Sequence, residues 1–276
     1  MPANHAVAAS PRGRPAATRR GARRVVARGD GGRNLRDASP MRPDTENLIR
    51  FYESPEGMLA RRLILRAVRR LWPEIADGSL VGFGHTAPWL PALGRDLREV
   101  LSLAPWPVER GTAPVFCAVV DADALPLASG SVSRVFAAHL LEHVGDVSAV
   151  LAEVWRVLED GGEMVCVVSA RGGVWSRREE SPFGSGAPFS RRQLGALLRA
   201  RGLVPVAAEG ALFAAPGGWR RFSAVAAERF GRRWFPRRAG VHVVLARKEA
   251  PGAEVVEVRR SLSFGAARSP LLPAPN

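Results

Sequence analysis

Residues 115–170 read VFCAVVDADALPLASGSVSRVFAAHLLEHVGDVSAVLAEVWRVLEDGGEMVCVVSA, and their order decides the fold. An apolar run leads into an acidic loop. A second apolar run ends in His139-Leu140-Leu141-Glu142-His143, and an amphipathic stretch, Gly161-Gly162 and a third apolar run follow. Strands are expected at about 115–119, 132–138 and 163–169. A helix is expected from its cap, Asp146, to Leu158, with the double glycine ending it and admitting the next strand. Val147, Val150, Leu151, Val154 and Leu158 recur at helical spacing, the mark of a core-facing stripe. Short apolar strands separated by helix-length segments cannot pair as hairpins, so the sheet is parallel with crossover helices.

Upstream, Asp44 caps a short helix, and Ser54-Pro55 supplies a cap with proline at the first helical position of a second, running to about Trp72. Leu59, Leu63, Val68 and Leu71 fall near one face of it, while Arg61, Arg62, Arg66, Arg69 and Arg70 crowd the rest. That basic face reads as a solvated surface, with the apolar side covering the sheet. Leu80 to Pro88 is a short strand entering a glycine loop, and a helix is expected from about Trp89 to Arg98. Residues 99–114 hold one short apolar piece and a proline-broken loop. Downstream of the quoted stretch, a loop rich in Gly, Ser and Arg spans Arg171–Ser190. Beyond it the pattern predicts a helix from the Ser190 cap to about Arg201, a strand at Leu203–Ala207, a helix at Trp219–Gly231 and a last strand at Val241–Ala246.

The 276 residues carry a net charge of +14, but residues 1–40 hold nine Arg and two Asp and contribute half of it. That segment has almost no large apolar residue and is expected to be disordered. It is a basic arm for nucleic acid or another acidic surface, a transit-like leader, or an extension upstream of a start at Met41. The abrupt change of composition at Met41 favours the last. Residues 250–276 lack periodicity and read as a tail with little order, which leaves 41–249 as the folded domain. No run is long and apolar enough to span a bilayer. Cys117 and Cys166 sit in expected strands, a pattern that fits buried thiols and a reducing cytoplasm.

Three features carry chemistry. Gly82-Phe83-Gly84 sits at a strand-to-helix turn, where glycines let backbone approach a ligand. Asp121 and Asp123 follow a strand, and Asp121, nearer its end, is the better placed to hydrogen-bond a ligand. His139-Leu140-Leu141-Glu142-His143 matches a zinc-peptidase pattern, but that pattern needs a helix and here a strand runs into it, so no metal site is expected.

Asp121-Ala122-x-x-Leu125-Pro126, Leu141-Glu142-His143-Val144 and Arg156-Val157-Leu158-x-x-Gly161-Gly162, in that order and spacing, resemble class I S-adenosylmethionine-dependent methyltransferases of the type 11 kind. Arg171-Gly172-Gly173-Val174-Trp175-Ser176, Ser181-Pro182-Phe183-Gly184 and Pro188-Phe189-Ser190 resemble a bacterial subgroup of them, so the likeness runs from about residue 42 to 248. It implies a Rossmann-like α/β fold: a seven-stranded, mostly parallel sheet with helices on both faces and an antiparallel last strand. It implies S-adenosylmethionine as cofactor, with Gly82 and Gly84 beside its methionine part, Asp121 on the adenine and His139 near the methyl group. Trp175 and Phe183 would wall the side of an unidentified methyl acceptor. Two anchors of the family differ here: the acid two residues before the first glycine is Leu80, and the acid that holds the ribose after the second strand has no counterpart before Glu109. Those differences motivate an alternative, a methyltransferase-like scaffold that binds a partner rather than catalysing.

Overall fold

The computed structural model describes residues 43–249, apart from residues 74, 76, 98, 108–114, 178–180 and 215–223. The basic leader, the C-terminal tail and Glu109 lie outside the described residues. In chain order the elements are α1 (Thr45–Glu53), α2 (Pro55–Leu71), β1 (Ser79–Gly84), α3 (Leu90–Leu93), β2 (Glu99–Ala104), β3 (Phe116–Val119), β4 (Val132–Ala138), α4 (Val147–Val157), β5 (Leu158–Ser169), α5 (Arg191–Arg199), β6 (Leu203–Ala211), α6 (Ala224–Trp234) and β7 (Val241–Lys248). Single 3-10 turns at Trp175–Arg177 and Pro236–Arg238 interrupt the connections.

Local chemistry sets the helix starts. Asp44 accepts from the Asn47 N–H, Ser54 from the Gly57 N–H, Asp146 from the Ser148 and Ala149 N–H groups, and Ser190 from the Gln193 N–H. The seven strands lie in the order β3-β2-β1-β4-β5-β7-β6. From β3 to β5 every pair is parallel, and β7 runs antiparallel between β5 and β6. The expected sheet is the one that forms.

Alternate residues of the central strands feed two cores. Val81 and Phe83, Val135 and Ala137, and Met164 and Cys166 point to one face, where Val150, Leu151 and Val154 of α4 and Leu194 and Leu198 of α5 cover them. Leu80, Phe136, Val165 and Val167 point to the other, beneath Leu48 of α1 and Ala60, Leu63, Ile64 and Val68 of α2. The five arginines between Arg61 and Arg70 stay exposed.

Four boundaries differ from expectation, one of them the end of β6, which runs to Ala211 rather than Ala207. The helix expected at 89–98 is one turn only, because Gly94 packs against Val100 so closely that a Cβ there would lie 2.6 Å from its Cγ2, and the chain turns at once into β2. Gly161-Gly162 does not end α4. The helix stops at Val157, where the Gly130 and Ser131 N–H groups bind the Arg156 and Val157 carbonyls and Lys248 Nζ binds that of Leu158. Leu158 already pairs with Val132, so the glycines form a bulge inside β5. The last helix runs on past Gly231 to Trp234, and its expected start at Trp219 lies outside the described residues.

Candidate functional site

The C-terminal ends of β1 and β4 lie side by side, and glycine makes that possible. Gly84 has φ +93°. A Cβ on it would lie 2.6 Å from the Ala138 carbonyl oxygen and 2.9 Å from Leu140 Cβ. The next residue, His85, donates its N–H to that same carbonyl at 2.9 Å. The chain leaving β1 is thereby clamped to the chain leaving β4. Gly82 is tight for another reason: a Cβ there would lie 2.4 Å from Thr86 Oγ1 and 2.7 Å from a Leu90 methyl, so its bareness lets the turn fold back over the strand.

His139 follows β4 with φ +49°, a left-handed conformation that costs a residue with a Cβ roughly 1 kcal/mol. Leu212 is the other described residue of this kind without being glycine, so the conformation alone does not mark a site. The surroundings of His139 are more telling. Its Nε2 lies 2.7 Å from the Tyr52 hydroxyl, and the pair is buried. The Tyr52 ring stacks on His85 with centroids 5.6 Å apart, and Phe183 and Trp89 bring their rings to 5.1 Å and 6.4 Å from the His139 ring. Burial, then the neighbouring His85 and His143, hold the His139 imidazole well below its ordinary range. Burial takes His85 down to about 4 and, with the charge of Glu142 behind it, raises Tyr52. At neutral pH the enclosure is thus built from uncharged rings.

Glu142 ends the same turn. Its Oε1 accepts the Ser169 backbone N–H at 2.7 Å, tying β4 to β5, yet burial outweighs that bond and pushes the carboxyl up to about 7. Below pH 4.5 the group is protonated in both folded and unfolded chains. As pH rises from 4.5 towards 7 the unfolded chain ionises first, so stability falls over that window by on the order of 3 kcal/mol and then levels off. His85 acts in the opposite sense, withdrawing stability as pH falls from 6.5 to about 4. Comparing Glu142→Gln with the unsubstituted protein isolates the first effect. Urea denaturation at pH 5 and pH 8 is expected to show the variant gaining relative stability at the higher pH, and an equal offset at both would rule it out.

The His139-to-His143 segment is a turn, closed by the His143 N–H on the Leu140 carbonyl at 2.9 Å. His139 packs with Tyr52 and Phe183, whereas His143 sets its ring edge against Trp106. Among the described residues no group of three or more His, Cys, Asp or Glu is placed to hold a metal ion. Of the residues singled out from sequence, Gly82, Gly84, His139 and Phe183 come together. Asp121 stands apart, exposed beyond the end of β3, where Val120 still pairs with Ala104. Trp175 is wholly buried one layer back, edge-on to Phe183 and Phe51, its Nε1 donating to the Ala214 carbonyl at 2.8 Å.

Several residues of the site escaped the sequence. Tyr52 arrives from α1, and Thr86, Ser102, Trp106 and Ser169 line the ends of β1, β2 and β5. Buried polar atoms mark this edge: among the described residues His85 Nε2, Thr86 Oγ1, Ser102 Oγ, Trp106 Nε1 and His139 Nδ1 have no hydrogen-bond partner, and the Ser169 hydroxyl has the Glu142 carboxyl beside it. Leaving such a group unsatisfied costs about 1–3 kcal/mol. Their position, along the C-terminal ends of the parallel strands, is where open α/β sheets take ligands.

Residues 81–166 match a family model described as a methyltransferase domain. A 49-residue stretch, 18% of this chain, is 49% identical to the ubiquinone/menaquinone biosynthesis C-methyltransferase UbiE of Desulfotalea psychrophila, and takes in 20% of that protein's length. In fold, the chain is similar to a SAM-dependent methyltransferase of Thermotoga maritima: TM-score 0.55, 20% identity, 74% of this chain and 96% of the other. It is likewise similar to a chain from the complex of the Haloferax volcanii Trm112 methyltransferase activator with a methyltransferase: TM-score 0.56, 18% identity, 76% and 99% covered. The resemblance read from three sequence motifs therefore holds in sequence over 81–166 and in fold over the sheet and its helices.

Proposed function

We propose that the chain is an S-adenosylmethionine-dependent methyltransferase whose cofactor lies across the C-terminal ends of β1, β2 and β4. The observation that carries this is the row of buried polar atoms, from Thr86 and Ser102 to His85 and His139, that have no partner among the described residues. The residues fit the group. A nucleoside joined to an amino acid has polar atoms along its whole length, and donors and acceptors spread over adjacent strand ends would meet them. Thr86 Oγ1 stands where a Cβ on Gly82 would lie, and Ser102 is the register partner of Gly82 in β2. They offer neutral hydrogen bonds there.

When bound, S-adenosylmethionine supplies an electrophilic methyl group on a sulfonium. The chain's part is positioning and exclusion of water. The Gly84–Ala138 clamp fixes the floor of the site. Tyr52, His85 and His139, all uncharged at neutral pH, present ring faces and no competing cation to a positively charged ligand. Tyr52 fixes the His139 ring through Nε2 and leaves Nδ1 to face a ligand. Glu142, titrating near neutrality, can hold or release a proton at Oε2 according to what lies beside it. Asp121, exposed beyond β3, is the proposed contact on the adenine side, and Phe183, buried against His139, the one on the acceptor side, with Trp175 supporting it.

Calorimetry with S-adenosylmethionine on the full chain tests the reading. Saturable binding is expected, weakened about tenfold by Thr86→Val, which keeps the shape and removes one hydrogen bond to a buried partner. No heat at millimolar cofactor would refute it and favour the partner-binding scaffold.

A further inference from the structure

The face formed by α6 and the 3-10 turn after it is not used by the site described above. Apart from Gly231, no residue of α6 is buried. Phe230 is 59% exposed, Trp234 63% and Phe235 47%, values that set these rings apart from the buried aromatics of the core. They form a cluster, with Phe230 centroids 6.4 Å from Trp234 and 5.9 Å from Phe235. Guanidinium groups border the cluster, Arg233 at 5.6 Å from the Trp234 ring and Arg238 at 5.5 Å from that of Phe235. Behind it a cavity of about 580 Å³ opens between α6 and β6, lined by Arg191, Arg229, Arg232 and Arg233 with Glu209 as its one acid. Glu209 also accepts from Arg70 at 3.1 Å, which brings that exposed arginine of α2 to the same side.

We infer that this face docks the protein on an anionic lipid bilayer, the aromatic cluster entering the acyl boundary and the arginines holding lipid phosphates. Clustered exposed aromatics beside an arginine-rich strip are the composition of helices that lie in a membrane interface. Charge complementarity selects anionic headgroups. Single-stranded nucleic acid would need open ring faces on which bases stack, and here the rings tilt against one another and carry guanidinium groups over Trp234 and Phe235. No helix among the described residues is long and apolar enough to cross a membrane, so the attachment is to the surface. The inference is independent of the methyltransferase reading.

The test is co-sedimentation of the full chain with vesicles of phosphatidylcholine alone and of phosphatidylcholine and phosphatidylglycerol in equal parts. Binding to the mixed vesicles only is expected, and it should fall as salt rises from about 0.1 M to about 1 M, where screening shortens from about 10 Å to about 3 Å. Substituting Phe230→Ser and Trp234→Ser together should lower partitioning at least about tenfold, since two large apolar side chains are removed from the bilayer. Both positions are exposed, so circular dichroism should be unchanged. Arg229→Gln with Arg232→Gln should weaken binding without affecting the core. Three results would overturn the inference: equal binding to neutral vesicles, vesicle binding indifferent to the two aromatic substitutions, as the arginines of residues 1–40 would give, or binding to RNA with none to vesicles.

Discussion

Replacing Gly84 with alanine is expected to lower the unfolding free energy by about 4 kcal/mol and to remove S-adenosylmethionine binding with it. The two losses have one cause. At φ +93° a Cβ is disfavoured before any neighbour is considered, and the nearest neighbour is the Ala138 carbonyl oxygen, 2.6 Å from where the Cβ would sit. Backbone cannot swing aside as a side chain can. Relief would have to come from moving the β4 end, and with it His139 and the His85 N–H that shares the same carbonyl. Gly82→Ala makes the contrast: its neighbours are the Thr86 hydroxyl and Leu90 methyls, which can rotate, so a smaller loss is expected. Urea denaturation read alongside calorimetry separates the two variants. A Gly84→Ala protein as stable as the parent would show that the clamp is not rigid.

Trp175→Ala is expected to cost a similar amount, about 4 kcal/mol, typical of emptying a large buried aromatic site. The indole fills the space between Phe51 and Phe183, and its Nε1 satisfies the Ala214 carbonyl. A Cβ on Gly240 would lie 2.5 Å from its Cδ1, so the surrounding chain is shaped to it. Trp175→Phe keeps most of the ring and drops the hydrogen bond, for which a loss nearer 1–2 kcal/mol is expected. Thermal unfolding of the two variants distinguishes a core residue from an exposed wall of the acceptor site. A Trp175→Ala protein within a few tenths of a kcal/mol of the parent would contradict the packing.

The parts of the fold that could be read in the sequence are those where one local signal suffices. Ser54-Pro55, Asp146 and Ser190 are caps whose chemistry is complete within three residues, and the apolar run of β4 could be bounded at Val132 and Ala138. Signals that depend on distant partners were not legible. Gly161-Gly162 looks like a helix stop, but the stop at Val157 comes from N–H groups of Gly130 and Ser131, nearly thirty residues earlier. The site divides the same way. His139 and Gly84 sit at strand ends and could be placed from the strand pattern. Tyr52 could not, because its hydroxyl meets His139 across 87 residues and no spacing announces it. Glu142 was visible within two motifs, one of which needs a helix that the turn does not supply, and neither announced that its carboxyl would reach the Ser169 N–H.

The antiparallel β7 has a consequence for how the chain comes to be folded. It is the last strand to be synthesised, yet its place is between β5 and β6, both made before it. Until residue 248 has left the ribosome, β5 has an open edge that exposes the backbone groups later paired with Val241 to Arg247. β6, which among the described strands pairs only with β7, has none of them to join. A chain cut short before Val241 therefore keeps every strand that frames the site but leaves a row of unpaired amides and carbonyls along the middle of the sheet. That edge is a template for another copy of the same chain, so truncation is a route to aggregation more than to a smaller folded domain.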